Sequence, residues 1–171
     1  MSISITLIGE QKNSILTRKG AKSGDGIYVT GIVGSARAAL LLDKRNSGYN
    51  YFRKSLVKPE PRVMEGIELS KFASSCIDIS DGLAKDLKSI AISSNKGFDV
   101  EVDSIPTSRQ LARYIKPHLR DQCVLGGGED YELCFTANDK YISKINALRK
   151  KLKLKITWNG VVTDSGFVFK F

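Results

Sequence analysis

Cys76-Ile77-Asp78-Ile79-Ser80-Asp81-Gly82-Leu83 alternates apolar and polar residues up to a glycine, and a helical period takes over after it. Side chains alternate in a strand, so Ile77 and Ile79 fall on one face while Asp78 and Ser80 fall on the other. From Leu83 the apolar residues continue as Leu87, Ile90 and Ala91, the i, i+4, i+7, i+8 spacing of a helix with one buried face. An apolar strand running directly into an amphipathic helix implies a layered domain of strands and helices. The junction carries two carboxylates and a hydroxyl.

Working outward, the same change of period recurs. Ser2 to Gly9 alternates like a half-buried strand. Ile27-Tyr28-Val29-Thr30 reads as a short strand, followed by a turn from Gly31 to Gly34 and an apolar helix, Ala36 to Leu42. Residues 43–58 read as a loop or irregular helix, and Pro61 suits the first position of a helix over Val63 to Phe72. Ser74 to Ile79 is then expected to be the central strand. Phe98 to Asp103 alternates, and Thr107-Ser108-Arg109-Gln110 opens a helix through about Ile115. Tyr131 to Thr136 is an expected strand, and Asn138 caps a helix whose Ile142, Ile145 and Leu148 share a face. Three strands, Leu154 to Trp158, Val161-Val162 and Phe167 to Phe171, complete the chain. Their hairpin-like joins favour an α+β (α/β layered) domain, with a mixed, largely antiparallel sheet covered by helices.

Composition bounds the rest. At 171 residues the chain fits a single domain, 1–171, able to bury a core without disulfides or structural metal. No apolar run reaches the length of a membrane-spanning helix, and Met1 to Thr6 lacks the features of a signal peptide, so a cytoplasmic chain is expected. Cys76, Cys123 and Cys134 each sit in an apolar run and read as small core residues. The net charge of +9 raises nucleic-acid binding, but the densest basic run, Arg149 to Lys155, spans a helix end and has no interleaved aromatics. Lysines there complement the helix dipole and keep a face solvated. His118 has no acid or serine pattern near it and reads as a surface residue.

The chemistry concentrates in two acidic stretches. Asp78 and Asp81 offer hard oxygen ligands of the kind magnesium takes beside phosphates and waters, although Asp or Ser at a helix start also serves as an ordinary cap. Gly126-Gly127-Gly128-Glu129-Asp130-Tyr131-Glu132 follows about one strand-and-helix unit later. Its glycines suit close backbone approach, and its carboxylates would repel one another without cations or donors between them. A solvated turn is an equal reading. Gly31 to Gly34 lacks the Lys-Ser/Thr of a phosphate-binding loop and reads as tight packing, while Arg62 either faces an anion or lies on the surface.

Taken together, these stretches resemble thiamine-monophosphate kinase, of the superfamily of aminoimidazole ribonucleotide synthetase, selenophosphate synthetase and a hydrogenase maturation factor. The resemblance rests on Ser4-Ile5-Thr6, Gly20 to Asp25 with Ile27 to Gly31, Pro59-Glu60-Pro61-Arg62, Asp78 to Leu83, and Gly127 to Leu133. It implies the C-terminal, substrate- and metal-binding domain of that enzyme, without the N-terminal ATP-binding domain that forms the homodimer and brings most of the magnesium ligands. It implies ATP-dependent, magnesium-assisted in-line phosphorylation of thiamine monophosphate to thiamine diphosphate. No side chain here is expected to be a covalent catalyst. Asp78 and Asp81 match magnesium ligands, Ser80 a contact to ATP, and Glu129 a contact to thiamine monophosphate; Phe167 is the nearest counterpart of a substrate-contacting aromatic. The chain departs from the family at Gly34-Ser35-Ala36-Arg37, where an acid is replaced, and at its C-terminal end. Alone it is expected to be inactive. Two alternatives are a superfamily member acting on another phosphorylated substrate, and a non-catalytic domain binding nucleic acid or protein.

Overall fold

The computed structural model of the chain describes residues 3–6, 8 and 14–171. Among these residues, six strands form one sheet: β1 (Gly26–Thr30), β2 (Ser75–Asp78), β3 (Gly97–Glu101), β4 (Leu133–Ala137), β5 (Ile156–Thr163) and β6 (Phe167–Lys170). Their order is β2-β4-β1-β5-β3-β6. Every ladder is antiparallel except the parallel pairing of β3 with β6, so the sheet is mixed and largely antiparallel, as the sequence predicts.

Helices cover both faces. β1 is buried along its whole length, and its alternation sends neighbouring side chains to opposite cores. Ile27 and Val29 join the larger cluster with α1 (Ser35–Leu41), α2 (Tyr49–Val57), α4 (Leu83–Ser94), α5 (Arg109–Tyr114) and α6 (Pro117–Val124). Tyr28 joins the smaller cluster with Leu69 of α3 (Val63–Leu69) and Ile145 and Leu148 of α7 (Ile142–Leu152). Across the ladder, Tyr28 pairs with Phe135, their rings stacked 5.2 Å apart. Cys123 and Cys134 are buried and Cys76 is partly so, all three as free thiols, in keeping with a core role.

Several expectations change. The stretch expected at the centre is an edge strand: β1 lies inside the sheet, and β4 is the one strand that pairs with β2 among the described residues, while the Cys76 amide on its other side donates to the Thr17 carbonyl at 2.9 Å. Leu154 to Trp158 and Val161-Val162 belong to one strand, because Ile27 pairs with Gly160 and Tyr28 with Trp158, leaving Asn159 as a bulge. The strand expected from Phe98 begins at Gly97 and gives way at Val102 to a 3-10 turn. Tyr131 and Glu132 precede β4 rather than forming its start. Pro61 lies outside α3, whose cap is Arg62. Asn138 caps a 3-10 turn, Asp139–Tyr141, that leads into α7. Of the strand expected over 2–9, the described residues 3–6 and 8 form no strand and are exposed; the others lie outside the described residues.

Candidate active site

β2 ends at Asp78, which is exposed, while the next residue, Ile79, is wholly buried. The chain then turns through Gly82 (φ 111°) into α4. The cap of α4 is Gly82 itself, with no side-chain hydrogen bond, so neither Asp78, Ser80 nor Asp81 has the expected capping role. Asp86 serves the turn instead. Its carboxylate accepts hydrogen bonds from the Ser80 and Asp81 amides, both at 3.1 Å, and burial raises its pKa against the lowering effect of those amides. Because Asp86 satisfies the turn, the polar side chains before it are left to the cleft. Among the described residues the Asp78 carboxylate and the Ser80 hydroxyl accept no hydrogen bond, and Asp81 pairs with Lys85 at 2.6 Å on the surface.

The second acidic stretch lies directly against the first. The Glu129 amide donates to the Ser80 carbonyl at 3.0 Å, the Tyr131 amide to that of Ile79 at 3.0 Å, and the Ile79 amide to that of Glu132 at 2.8 Å. This close approach accounts for the glycines. A Cβ on Gly128 would overlap the Ser80 carbonyl oxygen, and one on Gly127 the Cys123 carbonyl oxygen. Gly126 has ordinary contact distances.

The four residues after the glycines alternate in role. Asp130 and Glu132 turn inward. Asp130 accepts from the Gly34 amide at 2.7 Å and the Ala36 amide at 3.2 Å, and burial pushes its pKa up to about 6 despite those donors. The Gly31 to Gly34 turn therefore holds an internal carboxylate, which agrees with the packing reading. Glu132 receives both Nε (2.8 Å) and Nη2 (2.7 Å) of Arg62 and the Thr30 hydroxyl (2.7 Å). Arg62 thus does face an anion, one supplied by the chain. A Cβ on Gly31, at φ 58°, would overlap that carboxylate. Glu129 and Tyr131 turn outward, at φ 67° and 51°, and the Tyr131 hydroxyl donates to Glu129 Oε2 at 3.1 Å. The expected repulsion among the acids is removed by amides, a hydroxyl and a guanidinium.

An open cleft of about 1070 Å³ runs between α3 and this turn, with Arg62, Val63, Ile67, Asp78, Ser80 and Asp81 on its walls. A smaller cavity of about 390 Å³ adjoins it, bounded by Pro59, Pro61, Tyr131 and Leu133 and sharing Asp78 and Arg62. Among the described residues no three His, Cys, Asp or Glu side chains converge as a metal cage. Two carboxylates without a cage suit magnesium, which keeps several waters and takes one or two carboxylates together with phosphate oxygens.

Asp78, Ser80, Asp81 and Glu129 are thus brought to one end of the sheet. Phe167 is not: it begins β6 at the opposite edge, its ring 5.1 Å from Phe98. His118 is exposed at the start of α6 and lines neither cavity. The sequence reading missed Asp86 as the turn's support. A signal was present, since an acid beside Leu83, Leu87 and Ile90 on the buried face of a helix must find donors.

No family model matches the chain. Thiamine-monophosphate kinase of Buchnera aphidicola subsp. Schizaphis graminum is 40% identical over 173 residues, covering 96% of this chain and 53% of that protein. The crystal structure of thiamine-monophosphate kinase from Stenotrophomonas maltophilia K279a is 36% identical, with a TM-score of 0.84 over 90% of this chain and 52% of that one. AaThiL complexed with AMPPCP and TMP is 26% identical, with a TM-score of 0.77 over 90% of this chain and 50% of that one. Escherichia coli HypE, a hydrogenase maturation protein, shares the fold at 16% identity and a TM-score of 0.72. The chain is therefore homologous to thiamine-monophosphate kinases over nearly all of its length, and it spans about half the length of the curated relatives it matches.

Proposed function

We propose that this chain is the C-terminal part of a thiamine-monophosphate kinase, contributing one wall of a site that transfers the γ-phosphoryl group of ATP to thiamine monophosphate. The observation that carries this reading is the backbone pairing of the two acidic stretches, which sets Asp78, Ser80 and Asp81 beside Glu129 at one end of the sheet. Phosphoryl transfer between two phosphates needs positioning and charge neutralisation more than a nucleophilic side chain. The site matches that demand: Asp78, Asp81 and Glu129 are exposed, and His118, the chain's single histidine, lines neither cavity.

In this reading Asp78 and Asp81 hold magnesium, which would neutralise charge on the phosphate oxygens. Asp81 must exchange its Lys85 partner for that role. The pair is exposed, so the exchange costs little. Ser80 offers its hydroxyl to the nucleotide, and Glu129 offers a carboxylate to the thiamine moiety. Asp86 holds the Ser80–Asp81 backbone, and Asp130 and Glu132 hold the backbone that displays Glu129. The aromatic contact expected of Phe167 stays outside this arrangement. Two carboxylates fill only part of an octahedral magnesium shell, so phosphate oxygens, waters and, in this reading, residues from the half of the relatives that this chain does not match would complete it.

The test is a chimera in which this chain replaces the matching half of the Buchnera enzyme. With ATP and magnesium it should form thiamine diphosphate, and Asp78→Asn should lower kcat at least about 100-fold, as for loss of a group that stabilises transition-state charge. A chimera that melts cooperatively but makes no thiamine diphosphate overturns the reading. So does full turnover by the isolated chain.

A further inference from the structure

We propose that α2 and α5 together form a binding surface for single-stranded nucleic acid. It lies on the opposite face of the sheet from α3 and α7, and none of its residues lines either cavity described above. The inference is independent of the phosphotransfer reading.

The first argument is charge. Residues 44–58 hold five basic side chains and no acid, and residues 104–120 hold four and no acid. These nine equal the formal net charge of +9, so the remainder of the chain is neutral on balance. Among the described residues two of the nine have ion-pair partners, Arg45 with Asp43 and Arg120 with Asp103 and Asp121. Cations without acidic partners are available to phosphates, and the counterions that a phosphate backbone then releases favour binding.

Packing gives the second, because the fold joins these two segments, which are distant in sequence. Phe52 of α2 is wholly buried and meets Tyr114 of α5 edge-on, with ring centroids 6.3 Å apart. A Cβ on Gly48 would overlap the Tyr114 ring, so the start of α2 lies directly against α5. Tyr51, Lys54 and Lys58 follow one another at i, i+3 and i+7 and share the outer face of α2. Arg109 and Arg113, at i and i+4, share the outer face of α5. All five are exposed.

Aromatic rings among these cations provide the third. Tyr51 is 44% exposed and is held against Phe52 edge to face, with ring centroids 5.0 Å apart. The Arg113 guanidinium lies 5.3 Å over the Tyr114 ring. Aromatic faces between basic side chains are how proteins hold single strands: the cations follow the backbone, and unpaired bases stack on the rings. A duplex keeps its bases stacked inside and offers Tyr51 nothing. The denser basic run, Arg149 to Lys155, has the charge without a ring, which makes it a control for charge alone.

The probe is a fluorescein-labelled oligothymidylate about 12 nucleotides long, within the range of single-strand site sizes, titrated with the chain and followed by fluorescence anisotropy. At about 0.1 M salt it should bind with a Kd of about 10 μM or tighter. An abasic oligomer of the same length, which keeps the phosphates and lacks the bases, should bind about tenfold more weakly. Tyr51→Leu should weaken the oligothymidylate about tenfold. Lys54→Gln with Arg113→Gln should make the slope of log K against log salt shallower by about 1.4, as for the loss of two phosphate contacts to a single strand. Lys150→Gln with Lys155→Gln, on the other face of the sheet, should stay within about threefold of the parent. Melting temperatures report whether each variant keeps the fold, and the Lys54/Arg113 pair tests the surface if Tyr51→Leu does not. Absence of binding, equal affinity for the abasic oligomer, or an unchanged salt slope in a Lys54/Arg113 variant that melts like the parent would each overturn the proposal. So would a larger loss from the Lys150/Lys155 pair than from the Lys54/Arg113 pair. Capture by phosphatidylglycerol vesicles without oligothymidylate binding would assign the surface to a membrane and overturn it as well.

Discussion

Arg62 and Glu132 form the costliest single pair to break. Their side chains are only 12% and 8% exposed, and the contact is bidentate. Removing one partner leaves the other buried and uncompensated, so Arg62→Ala should destabilise the chain by about 3–5 kcal/mol in urea denaturation. Replacing both by apolar residues of similar size should cost less than either single change. Asp130 yields a pH prediction. Its folded pKa, about 6, lies above the ordinary carboxylate value of 3.8. The folded state therefore holds the proton more tightly than the unfolded chain. Asp130 adds stability below about pH 4, and that contribution is lost as the pH rises through 6. Asp130→Asn, which removes the titration, should flatten the change in Tm between pH 4 and pH 6 relative to the parent. An unchanged slope would remove Asp130 as its source. The acid types at this site are legible in the sequence, but their division of labour is not. Which acid points inward depends on Thr30, Gly31, Gly34 and Arg62, all distant along the chain.

Elements are legible where period and packing agree. The helical recurrence of Leu83, Leu87, Ile90 and Ala91 is the buried face of α4, and Ser108 caps α5 through the Leu111 amide. α6 is not legible, because only Cys123 and Val124, at its end, are buried, which leaves no apolar period to read. Alternation fixes which face a residue takes but carries no information on strand order, so it cannot distinguish β2 at an edge from β2 at the centre. Asn159-Gly160 reads as a break between strands because a bulge uses the residue types of a turn. The glycine run gives an element-level prediction. Gly128→Ala should strongly destabilise the chain, because a Cβ meets the Ser80 backbone and neither side can yield. Gly126→Ala meets nothing closer than 3.4 Å and should stay within about 0.5 kcal/mol of the parent, as surface changes do. Equal effects at the two positions would refute the packing account of the run.

At the scale of the whole molecule, the two cores share one sheet, and β1 contributes to both. Loss of either core removes support from the same strand, so the isolated chain should unfold in a single transition, with circular dichroism and Trp158 fluorescence changing together. Separate midpoints would show that the α3–α7 face melts on its own. The edge position of β2 has a consequence for motion. Val29 sits on the strand flanked on both sides, whereas the Glu129 and Tyr131 amides are tied to two residues just past the end of the outermost strand. Opening at that edge leaves the other ladders of the sheet paired, while opening at β1 dismantles the sheet. Native-state hydrogen exchange should therefore show the Glu129 and Tyr131 amides exchanging through local fluctuations, with Val29 following only global unfolding. A ligand bridging the two acidic stretches would slow the first class of amides and leave the ranking of the β1 amides untouched, giving a direct readout of occupancy in a chain that need not turn anything over.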